Sequence, residues 1–126
     1  MKHILFLFLL VTAFSFRVSS PAAMTFDSVK HNFGMIHQGD IVVHEFTFTN
    51  TGDEPLIITD AEVTCHCTTV DFPKQPLAKG QKGIIKVTYD SKSAMDRQER
   101  TVIVKSNASN APVTLTFKAV VLKPKG

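Results

Sequence analysis

Tryptophan is absent from this 126-residue chain, and cysteine occurs only twice, at Cys65 and Cys67. Two cysteines cannot build the dense disulfide framework of a knottin-like scaffold, so packed apolar side chains must supply most of the stability. There is no glycine-rich phosphate loop, no serine elbow and no H-E-x-x-H pair. The common signatures of nucleotide binding, acyl transfer and zinc proteolysis are therefore missing, and the expectation is a protein that is not an enzyme and needs no cofactor. Internal repeats, low-complexity blocks and basic runs interleaved with aromatics are missing as well. That last absence argues against a nucleic-acid partner.

What is present begins with "MKHILFLFLLVTAFSFRVSSPAAM". Lys2 precedes an apolar run from Ile4 to Phe16, broken only by Thr12 and Ser15, and Arg17 and small residues follow. This is the layout of a secretory signal peptide. A transmembrane helix would need roughly 20 apolar residues, more than this run supplies. Cleavage is expected after Ala22 or Ala23, since Ser20 and Ala22 fit the small-x-small pattern. No cysteine follows the apolar run to take a lipid. The expected division is thus a signal over residues 1–22 and one domain over residues 23–126, exported to the periplasm or beyond, with no remaining membrane span. Loss of Lys2 and Arg17 lowers the formal charge from +3 to +1, so the basic balance belongs partly to the signal.

The domain alternates apolar and polar residues in short runs separated by turn formers, which predicts an all-β sandwich. Val42, His44, Phe46 and Phe48 share one phase, and Val43, Glu45, Thr47 and Thr49 the other. "NTGDEP" then breaks the run with Asn50, Gly52, Asp53 and Pro55. "LIITDAEVTC", "IIKVTYD", "RTVIVKSN" and "VTLTFKAVV" continue the alternation. "FPKQPLAKGQKG" and "SKSAMDRQE" read as connections, the first because Pro73 and Pro76 cannot donate to a ladder. About seven strands fit in roughly 100 residues, the size of an immunoglobulin-like sandwich of two antiparallel sheets. Phe46, Phe48, Ile85, Val87, Tyr89, Val102, Val104, Leu115 and Phe117 should line its interior. The tryptophan and widely spaced cysteine pair of antibody domains are missing.

These elements resemble an exported bacterial family, domain of unknown function fifteen seventy-three. The resemblance runs from Phe26 to Val121. It is carried by His31-x-Phe33-Gly34, Gln38-Gly39, "FTFTNTG" ending at Gly52, the cysteine pair, "PLAKGQKG" and "KVTYDS". The family is similar to Hydin-like and major-sperm-protein-like domains, which implies an adhesion or assembly module rather than an enzyme. One residue departs from the pattern. The family usually carries Cys-Gly-Cys, whereas His66 stands between the cysteines here. Glycine would ease a tight turn, and His66 instead adds an imidazole beside two thiols.

The stretch Cys65-His66-Cys67 admits three readings. In an extended strand the two Cα atoms would lie about 6.6 Å apart, near the upper limit for a disulfide, so bridging needs a turn or bulge. Unbridged, the pair would be two buried apolar fillers finishing a strand. The third reading is a copper, zinc or thiol-redox site using Cys65, Cys67 and perhaps the opposed His66; His31, His37 and His44 show no spacing that brings them to it. His44 reads as a packed core histidine. Asp90 and Asp96 read as solvated acids, and the "NAS" sequon at Asn107 carries little weight. The surfaces offered to an envelope protein partner are the loop bearing Pro73, Lys74, Pro76 and Lys79, the connection bearing Met95 and Arg97, and the edges near Met35 and Val113.

Overall fold

Residues 18–125 are described by a computed structural model, in which the alternation resolves into eight strands. These are β1 (Met24–Phe26), β2 (Lys30–His37), β3 (Ile41–Asn50), β4 (Ile58–Val63), β5 (Thr68–Asp71), β6 (Lys82–Asp90), β7 (Asp96–Ser106) and β8 (Val113–Leu122). They form two four-stranded sheets, ordered β1-β3-β6-β5 and β2-β8-β7-β4. The fold is the expected immunoglobulin-like sandwich. The eighth strand arises because the cysteine stretch divides one apolar run into β4 and β5, which join different sheets. One pairing departs from the all-antiparallel expectation: β2 runs parallel to β8. Period-two alternation puts the same side chains inward for either strand direction, so it carries no information on that choice.

The nine residues expected inside are all buried. Phe46 and Phe48 of β3 face Leu115 and Phe117 of β8 across the interior, while the intervening Thr47 is only partly covered. The second connection is shorter than expected. "DRQE" opens β7, because Asp96 to Arg100 pair with Val121 to Phe117 of β8. Their polarity reflects the solvent beside the ladder rather than the absence of one, and Asp96 enters it with φ of 62°.

Asn50, the last residue of β3, is fully buried and ties together three chain segments. Its Oδ1 accepts from the N–H groups of Ala23 (3.3 Å) and Gly52 (3.0 Å), and its Nδ2 donates to the carbonyls of Glu54 (2.8 Å) and Leu77 (2.9 Å). Leu77 is also held by two backbone bonds to Leu56. The proline-bearing loop over residues 72–81 is therefore fastened to the sandwich. Gly52 is required beside it, because any Cβ there would run into the carbonyl oxygen of Pro21.

Most of the expected signal, residues 1–17, lies outside the described residues. Ser20 to Ala22 lie within them and are packed: Ala22 is buried, and Ser20 exchanges hydrogen bonds with Asp53. Cleavage after Ala22 or Ala23 would remove these contacts.

Two substitutions test this construction. Phe46→Ala should cost about 3–5 kcal/mol, while Thr47→Ala should cost less than about 1 kcal/mol; urea melts read both, and the reverse order would mean that β3 has the wrong register. Asn50→Ala should cost about 2–4 kcal/mol, since it removes four hydrogen bonds at once and leaves the buried Gly52 N–H without its acceptor. A melt indistinguishable from wild type would remove Asn50 as the junction of these segments.

Candidate functional site

Cys65, His66 and Cys67 occupy the short bend that carries the chain from β4, at the edge of one sheet, to β5, at the same edge of the other. They do not finish a strand, which corrects the strand-end reading. The Thr68 N–H donates to the Cys65 carbonyl (3.1 Å) and closes the turn, and the Asp90 N–H donates to the Cys67 carbonyl (2.8 Å), docking it on β6. The turn brings the two Cα atoms to 5.1 Å, inside the bridging range, and the sulfurs are joined as a disulfide. This crosslink closes so small a loop that chain entropy assigns it only about 1.6 kcal/mol, against about 3 for a loop of fifteen residues.

The two sulfurs differ in surroundings. Cys67 packs against the core cluster, and its Sγ lies 3.7 Å from the Thr68 hydroxyl. Cys65 Sγ accepts a hydrogen bond from the Cys67 N–H (3.2 Å). The residue between them, His66, is exposed. All three border an open depression of about 540 Å³, together with Asp90 and Lys92.

The metal reading of Cys65, His66 and Cys67 finds no support here. Bonded to each other, the sulfurs are not thiolate ligands, and among the described residues no three His, Cys, Asp or Glu side chains group as a metal site. The other histidines lie elsewhere. His31 of β2 and His44 of β3 stack face to face at the opposite edge of the sandwich, with ring centroids 3.6 Å apart, and parallel rings do not converge on one ion. His44 also packs edge-on against Phe46, in keeping with its core reading. Partial burial, and secondarily the neighbouring His31, hold His44 below the usual histidine pKa. His37 sits beside Asp40 at 3.9 Å.

The expected binding residues fall into two groups at opposite ends of β6, a strand about 26 Å long at 3.3 Å per residue. In the loop before β6, Pro76 is exposed and Pro73 half-buried. Lys74 there lies over the Phe72 ring, 3.2 Å from its centroid. Lys79 is engaged by Asp53 at 2.7 Å. That ammonium, then the Ser20 N–H, hold the Asp53 carboxyl down at about 2. Beyond β6, Met95 and Arg97 are both exposed, near the cysteine turn. Asn107 is structural, accepting from the Ile57 N–H (2.8 Å) and donating to the Pro55 carbonyl (3.0 Å). Asp90 caps the Lys92 N–H and does not pair with Asp96.

One feature escaped the sequence reading. The Asp27 N–H donates to the Thr47 carbonyl, on the β1 side of β3, while the Asn50 N–H donates to Gln81, on the β6 side. Backbone direction alternates along a strand, so Ile41, Val43 and Glu45 turn their N–H and C=O groups away from β6. β1 pairs only with Phe48 to Asn50, leaving no strand among the described residues beside that stretch. Ile41 and Val43 are 63% and 48% exposed. Their place in an alternating run was legible; the early end of β1 was not. Of the edges expected near Met35 and Val113, Met35 is strongly exposed on the outer strand β2, whereas Val113 opens the inner strand β8.

Comparison with solved structures agrees on the architecture. A protein of unknown function from Porphyromonas gingivalis W83 superposes with a TM-score of 0.72 at 15% identity, over 86% of this chain and 51% of that one. The chain thus spans about half the length of that relative. The ASH/PapD-like domain 7 of human CEP192 superposes at 0.64 with 9% identity, over 98% of this chain and all of that one. WR4, a C. elegans MSP family member, superposes at 0.50 with 8% identity, over 80% and 99%. Identities this low show the fold alone. No curated protein sequence matches the chain. The family model described as Protein of unknown function (DUF1573) matches residues 24–121, nearly all of the sandwich, and the chain belongs to that family.

Proposed function

We propose that this chain is an exported, non-catalytic binding module of the bacterial cell envelope that takes an extended segment of a protein partner along the open edge of β3. The observation that carries the reading is the unpaired stretch from Ile41 to Glu45. Its backbone donors and acceptors are satisfied by an added strand, and Ile41 and Val43 present apolar side chains that alternate along it. Export follows from the basic-then-apolar start of the sequence, and the lack of a catalytic motif supports a role in binding.

β1 offers an outer edge of only three residues, and the edges of β2, β5 and β4 are blocked against such addition. β2 is bulged between Asn32 and Met35, where Gly34 adopts φ of 73°. β5 has four residues and runs into Pro73. β4 carries a register shift at Ile58–Asp60 and exposes Asp60 and Glu62. Bulges, prolines, short strands and charge are the devices that keep edges from pairing. β3 pairs with β6 without a shift and carries only Glu45 as a charge on its open stretch.

A photo-reactive residue placed at Ile41 in envelope preparations should crosslink to a partner protein, and the same residue at Thr114 on β8 should not. Glu45→Pro, which removes an outward N–H, should abolish the Ile41 adduct while leaving the urea midpoint nearly unchanged. Equal crosslinking at both positions, none at Ile41, or an adduct that survives Glu45→Pro would overturn the reading.

A further inference from the structure

We propose that the disulfide between Cys65 and Cys67 is a thiol–disulfide exchange site, which accepts electrons from a cysteine pair in another polypeptide. The site lies at the edge opposite β3 and does not rest on the strand-addition reading. Three observations point to exchange rather than to a structural staple. The bond spans two residues of an exposed turn, so it constrains little of the unfolded chain. It borders an open depression that an incoming thiolate can enter and that Lys92 and Asp90 also line, the Asp90 carboxylate accepting there from the Lys92 backbone N–H. Finally, each sulfur has a polar neighbour placed to stabilise negative charge: the Cys67 N–H on Cys65 Sγ, and the Thr68 hydroxyl near Cys67 Sγ.

The asymmetry of the pair sets the direction of attack. Cys67 is the sulfur packed against the core, which leaves Cys65 Sγ as the point of entry. A partner thiolate attacks Cys65 Sγ along the axis of the disulfide. A new S–S bond forms as the Cys65–Cys67 bond breaks, and Cys67 leaves as a thiolate beside the Thr68 hydroxyl. The second thiolate of the partner then attacks its own sulfur in the mixed disulfide and releases Cys65. Two electrons and two protons pass from the partner dithiol to Cys65 and Cys67, and the partner leaves with a disulfide. The turn is held by Thr68 N–H to Cys65 O and Asp90 N–H to Cys67 O, so the bend persists when the sulfurs part.

The test treats the native, oxidised full chain with a reduced peptide bearing two cysteines, then blocks thiols with iodoacetamide and weighs both products. The expected result is one alkylated pair on this protein for each disulfide gained by the peptide, with no urea present. The reduced protein should keep its far-UV spectrum and nearly the same urea midpoint. Presented with the oxidised peptide, Cys67→Ser should form a mixed disulfide through Cys65 at least about tenfold faster than Cys65→Ser does through Cys67, following thiol access. Reduction that requires denaturing urea, or that unfolds the domain, would make the bond a structural staple and overturn the proposal. Equal rates for the two single variants would overturn the assignment of Cys65 as the entry sulfur.

Discussion

The four hydrogen bonds of the Asn50 side chain hold together segments that the two sheets alone would leave apart. Asn50 ends β3 on the inner face, where an apolar residue would continue the phase of Phe46 and Phe48. Its amide instead joins the entry to β1, the turn after β3 and the loop before β6. A buried amide is tolerable only when every donor and acceptor is met, and here all four are. The β5–β6 loop, the Leu56–Leu77 bridge and the close approach of Pro21 to Gly52 all gather around that junction. It also explains why Lys79 is unavailable as a free cation: the fastened loop sets it against Asp53.

A second polar group in the interior is treated differently. Tyr89 packs its ring against Phe117, and its hydroxyl is buried without a hydrogen-bond partner among the described residues. Burial raises its pKa, with Arg100 opposing. Such a group costs stability rather than adding it. The contrast with Asn50 shows that inward polarity in this sandwich is not uniform: one group organises the chain, and the other is carried by the apolar surface of its ring.

Function in a two-sheet sandwich concentrates at the edges, because the faces between sheets are consumed by the core. At one side, β1 ends early and exposes the start of β3, with the stacked His31 and His44 rings filling the space toward β2. At the other, the chain crosses from β4 to β5 through the cysteine turn. Only β6 stands between the two sites, since Ile41 pairs with Asp90 and the Asp90 N–H donates to the Cys67 carbonyl. They lie two strand spacings, about 10 Å, apart but open on opposite edges, so a partner strand at β3 and a thiol at Cys65 approach from different directions.

The sequence by itself determined which residues face inward. Alternation from Val42 to Phe48, from Ile85 to Tyr89 and from Leu115 to Val121 is a local property of an extended chain, and burial follows it residue by residue. It also marked the cysteine stretch as the place to look for chemistry, and the motif ending at Gly52 contained Asn50, read only as a turn former. Tertiary structure decided the rest. Whether β2 meets β8 in parallel, whether β1 extends far enough to cover Ile41, and whether Cys65 to Cys67 continue a strand or turn between sheets are questions of long-range pairing. The alternation is the same for either answer, because side-chain period registers the face of a strand and not the identity of its neighbour.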